Sequence, residues 1–591
     1  MSELHQENLQ DSDLDWALFK RIIVYLKPYR MLVALAIFFL FCVSILGLAG
    51  PYLTKVAIDD YISVSNLEGL NQLALIYLSV LAMAFFFQFA QTYLMQYIGQ
   101  KVMYDLRTQT FAHLHRMSFK FFDKNPIGKL VTRVVNDVEV LNEMLTSGLI
   151  LVFSDLFTLT GIFCVMLYLD WQLTLVVCIV FPLLSMATRA YRVRARDALR
   201  KNRAHVTRLN SFLEENLSGM PTVHLFHREK IHEEKFRDIN DDKVKEDLRA
   251  IHYNSVYLPS IDVFSALGMA LVIWYGGGKF VQEQMQLGVL VAFLQYLQKF
   301  FEPIRDLAEK FNIIQTAIAS AERTFELLDT PEDVSDPPTP LPVKRMRGEV
   351  EFRNMWLAYQ KDEFVLKDIS FTVREGESLA IVGATGGGKS SLVNALCRFY
   401  EISRGDILLD GVSIKDMSKY DLRRHISLVQ QDVFLFSGNI IDNIRLGNTE
   451  LPSEHIESVA QSVNLHTFVD RLPGKYEQEI RERGSVLSLG QKQLLSFARA
   501  LAADPRILVL DEATSSIDTE TEQHIQSAIK EIIRGRTSII IAHRLSTLKH
   551  VDKILVLKEG QIAEYGTQKE LIRKKGIYWK LYNLQAGSGA K

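Results

Sequence analysis

The sequence predicts a multidomain chain: an all-α membrane domain of six helices with long cytoplasmic extensions, then an α/β domain with a helical subdomain. Three observations carry this reading. Six apolar runs long enough to cross a bilayer fall within residues 31–305. A proline-rich stretch, LLDTPEDVSDPPTPLPVKRMRG, follows over 327–348. Beyond it an apolar strand, SLAIVG, runs into a glycine-rich turn and a helical segment, the context of a phosphate-binding loop.

The spans are expected over 31–53, 72–96, 146–169, 171–190, 255–277 and 284–305. Ahead of them LDWALFKRIIVYLKPYR mixes apolar and basic residues at helical spacing, as an interfacial helix does. Residues 1–30 are thus expected as a cytoplasmic N-terminus plus this helix, without the basic start and short apolar core of a cleavable signal. Lys20, Arg21, Lys27 and Arg30 precede the first span. The connections after spans two and four are long and basic (Arg107, Arg116, Lys120, Lys124; Arg192, Arg194, Arg196, Arg200), whereas the others are short and carry few basic residues. That alternation places both termini and the C-terminal domain in the cytoplasm, with the chain in the cytoplasmic (inner) membrane. Each long connection is helical in pattern and broken once, by Pro126 and Gly128 and by Gly219 and Pro221. Cross-pieces are therefore expected near 117–130 and 216–227, within a membrane domain over 31–326.

At 591 residues the chain exceeds one core, and its 48% hydrophobic average hides an apolar first half and an ordinary α/β second half. A net charge of -2 argues against a nucleic-acid partner. Cys42, Cys164, Cys178 and Cys397 are too scattered for a metal site or a disulfide framework.

Chemistry concentrates in the second half, expected over 349–585 with a tail at 586–591. Gly383, Gly388, Lys389 and Ser390 match G-x-x-x-x-G-K-[ST]. The loop Gly383-Ala384-Thr385-Gly386-Gly387-Gly388 offers backbone N–H groups to phosphates, with Ser391 following on the helix. Lys389 is expected to reach the β- and γ-phosphates and Ser390 to bind Mg2+. ILVLDE, 507–512, is an apolar strand ending in two acids. Asp511 can hold Mg2+, and Glu512 can polarise the attacking water. In LSLGQ, 487–491, a helix start could face an anion.

Together these segments resemble an ABC exporter half-transporter, six spans fused to one ATP-binding domain, over about residue 14 to 585. The resemblance implies further roles. Tyr359, in MWLAYQ, would stack on adenine, and Gln431, in LVQQDVFLF, would sense Mg2+. His543, in IAHRLS, would contact the γ-phosphate as a second catalytic residue beside Glu512. Asp518 would couple two ATP sites, and Glu482, in RERG, would contact cytoplasmic helices. It also implies a dimer in which Ser488, Leu489, Gly490 and Gln491 serve the partner's ATP. Leu489 stands where the family has glycine, whereas Lys389, Asp511, Glu512 and His543 are intact. That asymmetry resembles one half of the heterodimeric, MdlB-like multidrug-resistance type. The expected partners are a second half-transporter, membrane lipid and small amphiphilic substrates, drugs or lipids. The alternative is a homodimeric lipid flippase for envelope assembly. Asp155 and Asp262, costly within spans, are candidates for attracting cationic substrates.

Overall fold

The computed structural model describes residues 16–343, 346–360, 363–446, 448, 450–480, 484, 487–511, 519–542, 548 and 551–588. It divides into two compact units, residues 1–114 with 128–330, and 115–127 with 331–591. The first cross-piece thus groups with the ATP-binding half rather than with the membrane domain.

Among its described residues the membrane unit is built of helices. Residues Trp16–Val24 form a helix where an interfacial one is expected. Long helices then cover Arg30–Val56, Leu67–Arg116, Ile150–Leu169, Trp171–Cys178 with Val180–Ser218, Glu229–Leu271 and Leu287–Asp329. The Leu67–Arg116 helix has 50 residues, about 75 Å at 1.5 Å per residue, and outruns any bilayer. Among the described residues five helices are long and apolar enough to cross a membrane, over 27–62, 67–116, 152–169, 171–195 and 229–281. The sixth expected span lies in Leu287–Asp329, where Gln295, Gln298, Lys299 and Glu302 interrupt the apolar run. That helix buries a stripe inside the unit: Ala292, Phe293, Tyr296, Leu297 and Phe301 sit in one core with Ile162, Leu173, Val177 and Ile261. Lipid-type faces are supplied by exposed Phe38, Phe85, Phe86, Phe89 and Trp274. The helix breaks fall where expected, at Met117–Ser118 and Asn125–Pro126 around a short helix Phe119–Lys124, and at Gly219 before Met220–Leu225.

Among the described residues of the second unit twelve strands follow: β1 Val350–Gln360, β2 Glu363–Val373, β3 Ser378–Gly383, β4 Arg404–Leu409, β5 Val412–Ser413, β6 Ile426–Val429, β7 Gly438–Asn439, β8 Glu479–Ile480, β9 Ile507–Asp511, β10 Thr537–Ile541, β11 Lys553–Lys558 and β12 Gln561–Gly566. They make a four-stranded sheet, β2-β1-β4-β5, a six-stranded sheet, β12-β11-β3-β10-β9-β6, and the pair β7-β8. In the larger sheet all pairings are parallel except β11 with β12. Its central strands are apolar over most of their length because both faces are covered. Leu379, Ile381, Ile507, Val509, Ile539 and Ile541 enter one core, while Leu508, Leu510 and Ile540 enter the other. That second core holds the helical subdomain, with helices Ile440–Arg445, Ser453–Ser462 and Leu489–Ala502.

The connection expected as an exposed linker is exposed over most of 331–343 and is fastened to this unit at a few points. Val334 and Met346 are buried. Asp410 accepts from the backbone N–H groups of Arg347, Gly348 and Glu349, and Lys419 donates to the Val334 carbonyl at 2.9 Å. Outside a strand ladder, backbone groups need other partners: Asp410 takes up N–H groups here and Lys419 a carbonyl.

Arg499 ties the subdomain together. From the Leu489–Ala502 helix it donates to the carbonyls of Asn443 and Phe434, both at 2.9 Å, and to Asn443 Oδ1 at 3.2 Å. Burial pushes its guanidinium down to about 10, still charged at neutral pH. Arg499→Leu should cost about 2–4 kcal/mol, because charged hydrogen bonds vanish and buried carbonyls are left unpaired. Thermal unfolding of the purified protein measures this; an unchanged midpoint would show the contacts to be replaceable.

Candidate ATP site

The site is assembled by strand register. β10 pairs with β3 so that Ile541 lies beside Ile381, and with β9 so that Ile541 lies beside Asp511. On the far side Val429 of β6 lies beside Leu510. The carboxyl ends of four parallel strands therefore share one edge of the sheet, the ligand-binding edge of open α/β sheets. The phosphate loop leaves β3 there, Asp511 ends β9 there, and Gln431 follows the last residue of β6 by two positions.

The loop's shape needs its glycines. Gly386 and Gly388 have φ of +80° and +97°, which L side chains rarely adopt. A Cβ on Gly388 would also stand 2.7 Å from Leu366 Cδ2, and one on Gly383 would stand 2.3 Å from the Leu557 carbonyl oxygen. Ala384, Thr385, Gly386 and Ser390 are exposed, and Gly387, Gly388 and Lys389 are buried. Lys389, first residue of the helix Lys389–Leu396, donates to the carbonyls of Gly383 at 2.9 Å and Ala384 at 3.1 Å. Its ammonium thus lies inside the curl of the loop, beside N–H groups at a helix start where anions bind.

Tyr359, near the end of β1, reaches the same helix. Its hydroxyl donates to Ser391 Oγ at 3.0 Å and accepts from Asn394 Nδ2 at 3.3 Å, so its ring stands by the phosphate loop. Ser390, Gln431 and Asp511 offer hydroxyl, amide and carboxylate oxygens, the hard donors that Mg2+ prefers. Gln430 and Gln431 are both exposed, so burial does not separate them.

The LSLGQ stretch begins the helix Leu489–Ala502 with a capping box. Ser488 Oγ accepts from the Gln491 N–H at 3.3 Å, and Gln491 Oε1 accepts from the Ser488 N–H at 2.8 Å. Leu489 is 43% exposed, Gly490 is buried and Leu487 faces the subdomain core. Glu482, Glu512, Asp518 and His543 lie outside the described residues.

Both membrane carboxylates already have cations. Asp155 accepts from Lys310 at 2.5 Å, and Asp262 pairs with Arg305. Each partner comes from the sixth long helix. The expectation that these acids recruit cationic substrates loses its main support, the need for a partner within the span.

Sequence reasoning missed Arg499, Lys310 and Arg305. The signal for Arg499 was present: it is the one basic residue in QLLSFARALA, 493–502, a run otherwise buried. The pairs of Lys310 and Arg305 cross 155 and 43 residues of chain and leave no local pattern.

A membrane-spanning helical unit joined to a phosphate-loop sheet defines an ATP-driven membrane transporter. Residues 33–304 match the ABC transporter transmembrane region and residues 366–515 the ABC transporter ATP-binding family. The chain is 38% identical over 88% of its length, and 78% of the other's, to "Probable multidrug resistance ABC transporter ATP-binding/permease protein YheH" of Bacillus subtilis (strain 168). It is 34% identical to the "ATP-dependent lipid A-core flippase" of Syntrophus aciditrophicus (strain SB), over 96% of this chain and 94% of that one. Among solved structures, that of a bacterial Atm1-family ABC exporter with ATP bound superposes with a TM-score of 0.78 at 28% identity, covering 94% of this chain and 98% of that one. The chain belongs to the ABC transporter family. It is a multi-pass membrane protein with an ATP-binding, ATP-hydrolysing domain.

Gly388→Ala should abolish ATP binding, measured by equilibrium binding of a fluorescent ATP analogue, while circular dichroism stays that of the wild type. Retained binding would mean that the loop tolerates a Cβ at +97°, against the geometry above.

Proposed function

We propose that the chain is one half of a dimeric exporter that drives drugs, lipids or other amphiphiles out across the cytoplasmic membrane. The observation that carries this reading is the shared carboxyl edge, which brings the phosphate loop, Gln431 and Asp511 together in the same chain as a membrane-spanning unit. Relatives named as a multidrug resistance transporter and a lipid A-core flippase support an amphiphilic cargo.

In this reading Tyr359 stacks on adenine and the glycine loop encloses the phosphates with its N–H groups. Lys389, already in the loop, takes the β- and γ-phosphates. Ser390, Gln431 and Asp511 would hold Mg2+, which when bound neutralises charge on the β- and γ-phosphate oxygens. Glu512 orients and deprotonates the attacking water, and His543 holds the γ-phosphate. Asp518 links the two sites and Glu482 meets the cytoplasmic helices. Domains run as 31–326 and 349–585, on either side of the 327–348 connection. The basic loops put both termini and the ATPase domain in the cytoplasm.

The signature of each chain serves the other's ATP. Exporters of this fold work as dimers, and the mutual cap of Ser488 and Gln491 leaves a helix start whose N–H groups can meet a second chain's γ-phosphate. Leu489 adds bulk at that point. The partner's ATP would be held loosely there, whereas this chain's own Walker residues form the hydrolytic site. That division of labour favours a heterodimer.

Two outcomes test it. A second, untagged half-transporter should co-purify with the tagged chain; full drug-stimulated turnover by this chain alone in liposomes would instead support a homodimer. In the pair, Leu489→Gly should raise turnover at the partner's site, read by single-site mutants. Asp155→Asn should lower thermal stability, through the stranded Lys310, and leave the ratio of cationic to neutral cargo unchanged; a selective loss of cationic cargo would restore a substrate role for Asp155.

A further inference from the structure

The first cross-piece is bound to the ATPase core by contacts that converge on the end of the phosphate-loop helix. Phe119 stacks on Phe399 with ring centroids 4.6 Å apart, and the Arg423 guanidinium covers the Phe399 ring at 5.1 Å. Arg116 pairs with Glu332 and Lys120 with Asp333, both at 3.4 Å. Asp123, exposed on the cross-piece, accepts from the Tyr400 hydroxyl.

Tyr400 does two things at once. It is buried, and its ring meets that of Tyr359 edge-on at 4.7 Å and 80°. Tyr359 in turn donates to Ser391 and accepts from Asn394. A continuous set of contacts therefore runs Asp123–Tyr400–Tyr359–Ser391, from cross-piece to phosphate loop. A second route runs along the helix Lys389–Leu396, about 12 Å of rigid rod. Phe399 and Tyr400 follow its end directly, with the Phe399 N–H bonded to the Asn394 carbonyl at 2.9 Å. Burial, then the neighbouring carboxylate, push the Tyr400 phenol up, so it remains a donor to Asp123 throughout the physiological range.

We propose that Tyr400 is a positioning residue through which the first cross-piece senses the nucleotide, its hydroxyl holding Asp123 while its ring seats the aromatic assigned to adenine. The proposal rests on the assignment of Tyr359 made above and deepens it. An edge-on ring pair has a directional preference, so adenine on one face of Tyr359 constrains the tilt of Tyr400 on its edge. The hydroxyl converts that tilt into a displacement of Asp123. Packing alone would make Tyr400 a fixed support, equally engaged with and without nucleotide.

Hydrogen exchange over residues 115–127 separates the two. The full chain, with its partner if one co-purifies, is placed in lipid nanodiscs with and without Mg-AMPPNP. In the wild type the nucleotide should increase protection of this segment. Tyr400→Phe keeps the ring and removes only the hydroxyl, and Asp123→Asn alters only an exposed side chain. Both should bind AMPPNP within about twofold of the wild type, and both should lose roughly fivefold or more of the nucleotide-dependent protection. The proposal is overturned if the variants keep that increment, if the wild type shows none, or if protection falls equally with and without nucleotide. Tyr359→Ala probes the underlying assignment separately: it should weaken AMPPNP binding, and unchanged binding would remove the adenine role while leaving the Tyr400 result to be judged on its own.

Discussion

Parallel pairing of β3, β10, β9 and β6 is the constraint on which the ATPase unit depends. Each strand alone ends in an unremarkable residue or two. Held in register, they deliver a glycine loop, a carboxylate and a glutamine to one edge. The register is enforced by burial on both faces, since Ile539 and Ile541 fill one core and Ile540 the other. A slip by one residue would exchange those faces and move Asp511 away from the loop. Stability and chemistry therefore share a cause: the apolar strands that fill two cores are also the ruler for the site.

The same economy extends away from the edge. The phosphate-loop helix begins at Lys389 and is followed at its far end by Phe399 and Tyr400, which meet the first cross-piece. The signature helix begins at Ser488 and is fixed further along by Arg499 to the carbonyl of Phe434, just downstream of Gln431. Each candidate ligand-facing helix start thus belongs to a helix that is anchored by contacts further along the chain. Short helices pinned at both ends transmit movement because their backbone hydrogen bonds do not stretch.

How much of this was legible in the sequence depended on distance along the chain. The phosphate loop, the acidic strand end and the odd Leu489 are local patterns and could be read directly. The helix breaks at Gly219 and around Pro126 followed from backbone chemistry alone. The sixth membrane helix was legible as a helix, and its polar residues at 295, 298, 299 and 302 set it apart from the more uniformly apolar spans. Ion pairs such as Lys310 with Asp155, and the Tyr400–Asp123 bond across 277 residues, leave no periodicity to find. The linker's exposure was legible from its prolines and acids, but its anchoring was not, because Asp410 and Lys419 lie far downstream.

The central claim is that this chain's own residues form a hydrolytic ATP site. The most direct measurement is ATP turnover by the intact transporter in nanodiscs carrying Glu512→Gln in this chain alone. The account predicts a loss of about 100-fold or more, the contribution of a general base, with ATP still bound. Turnover near that of the wild type would contradict it and place hydrolysis on the other chain.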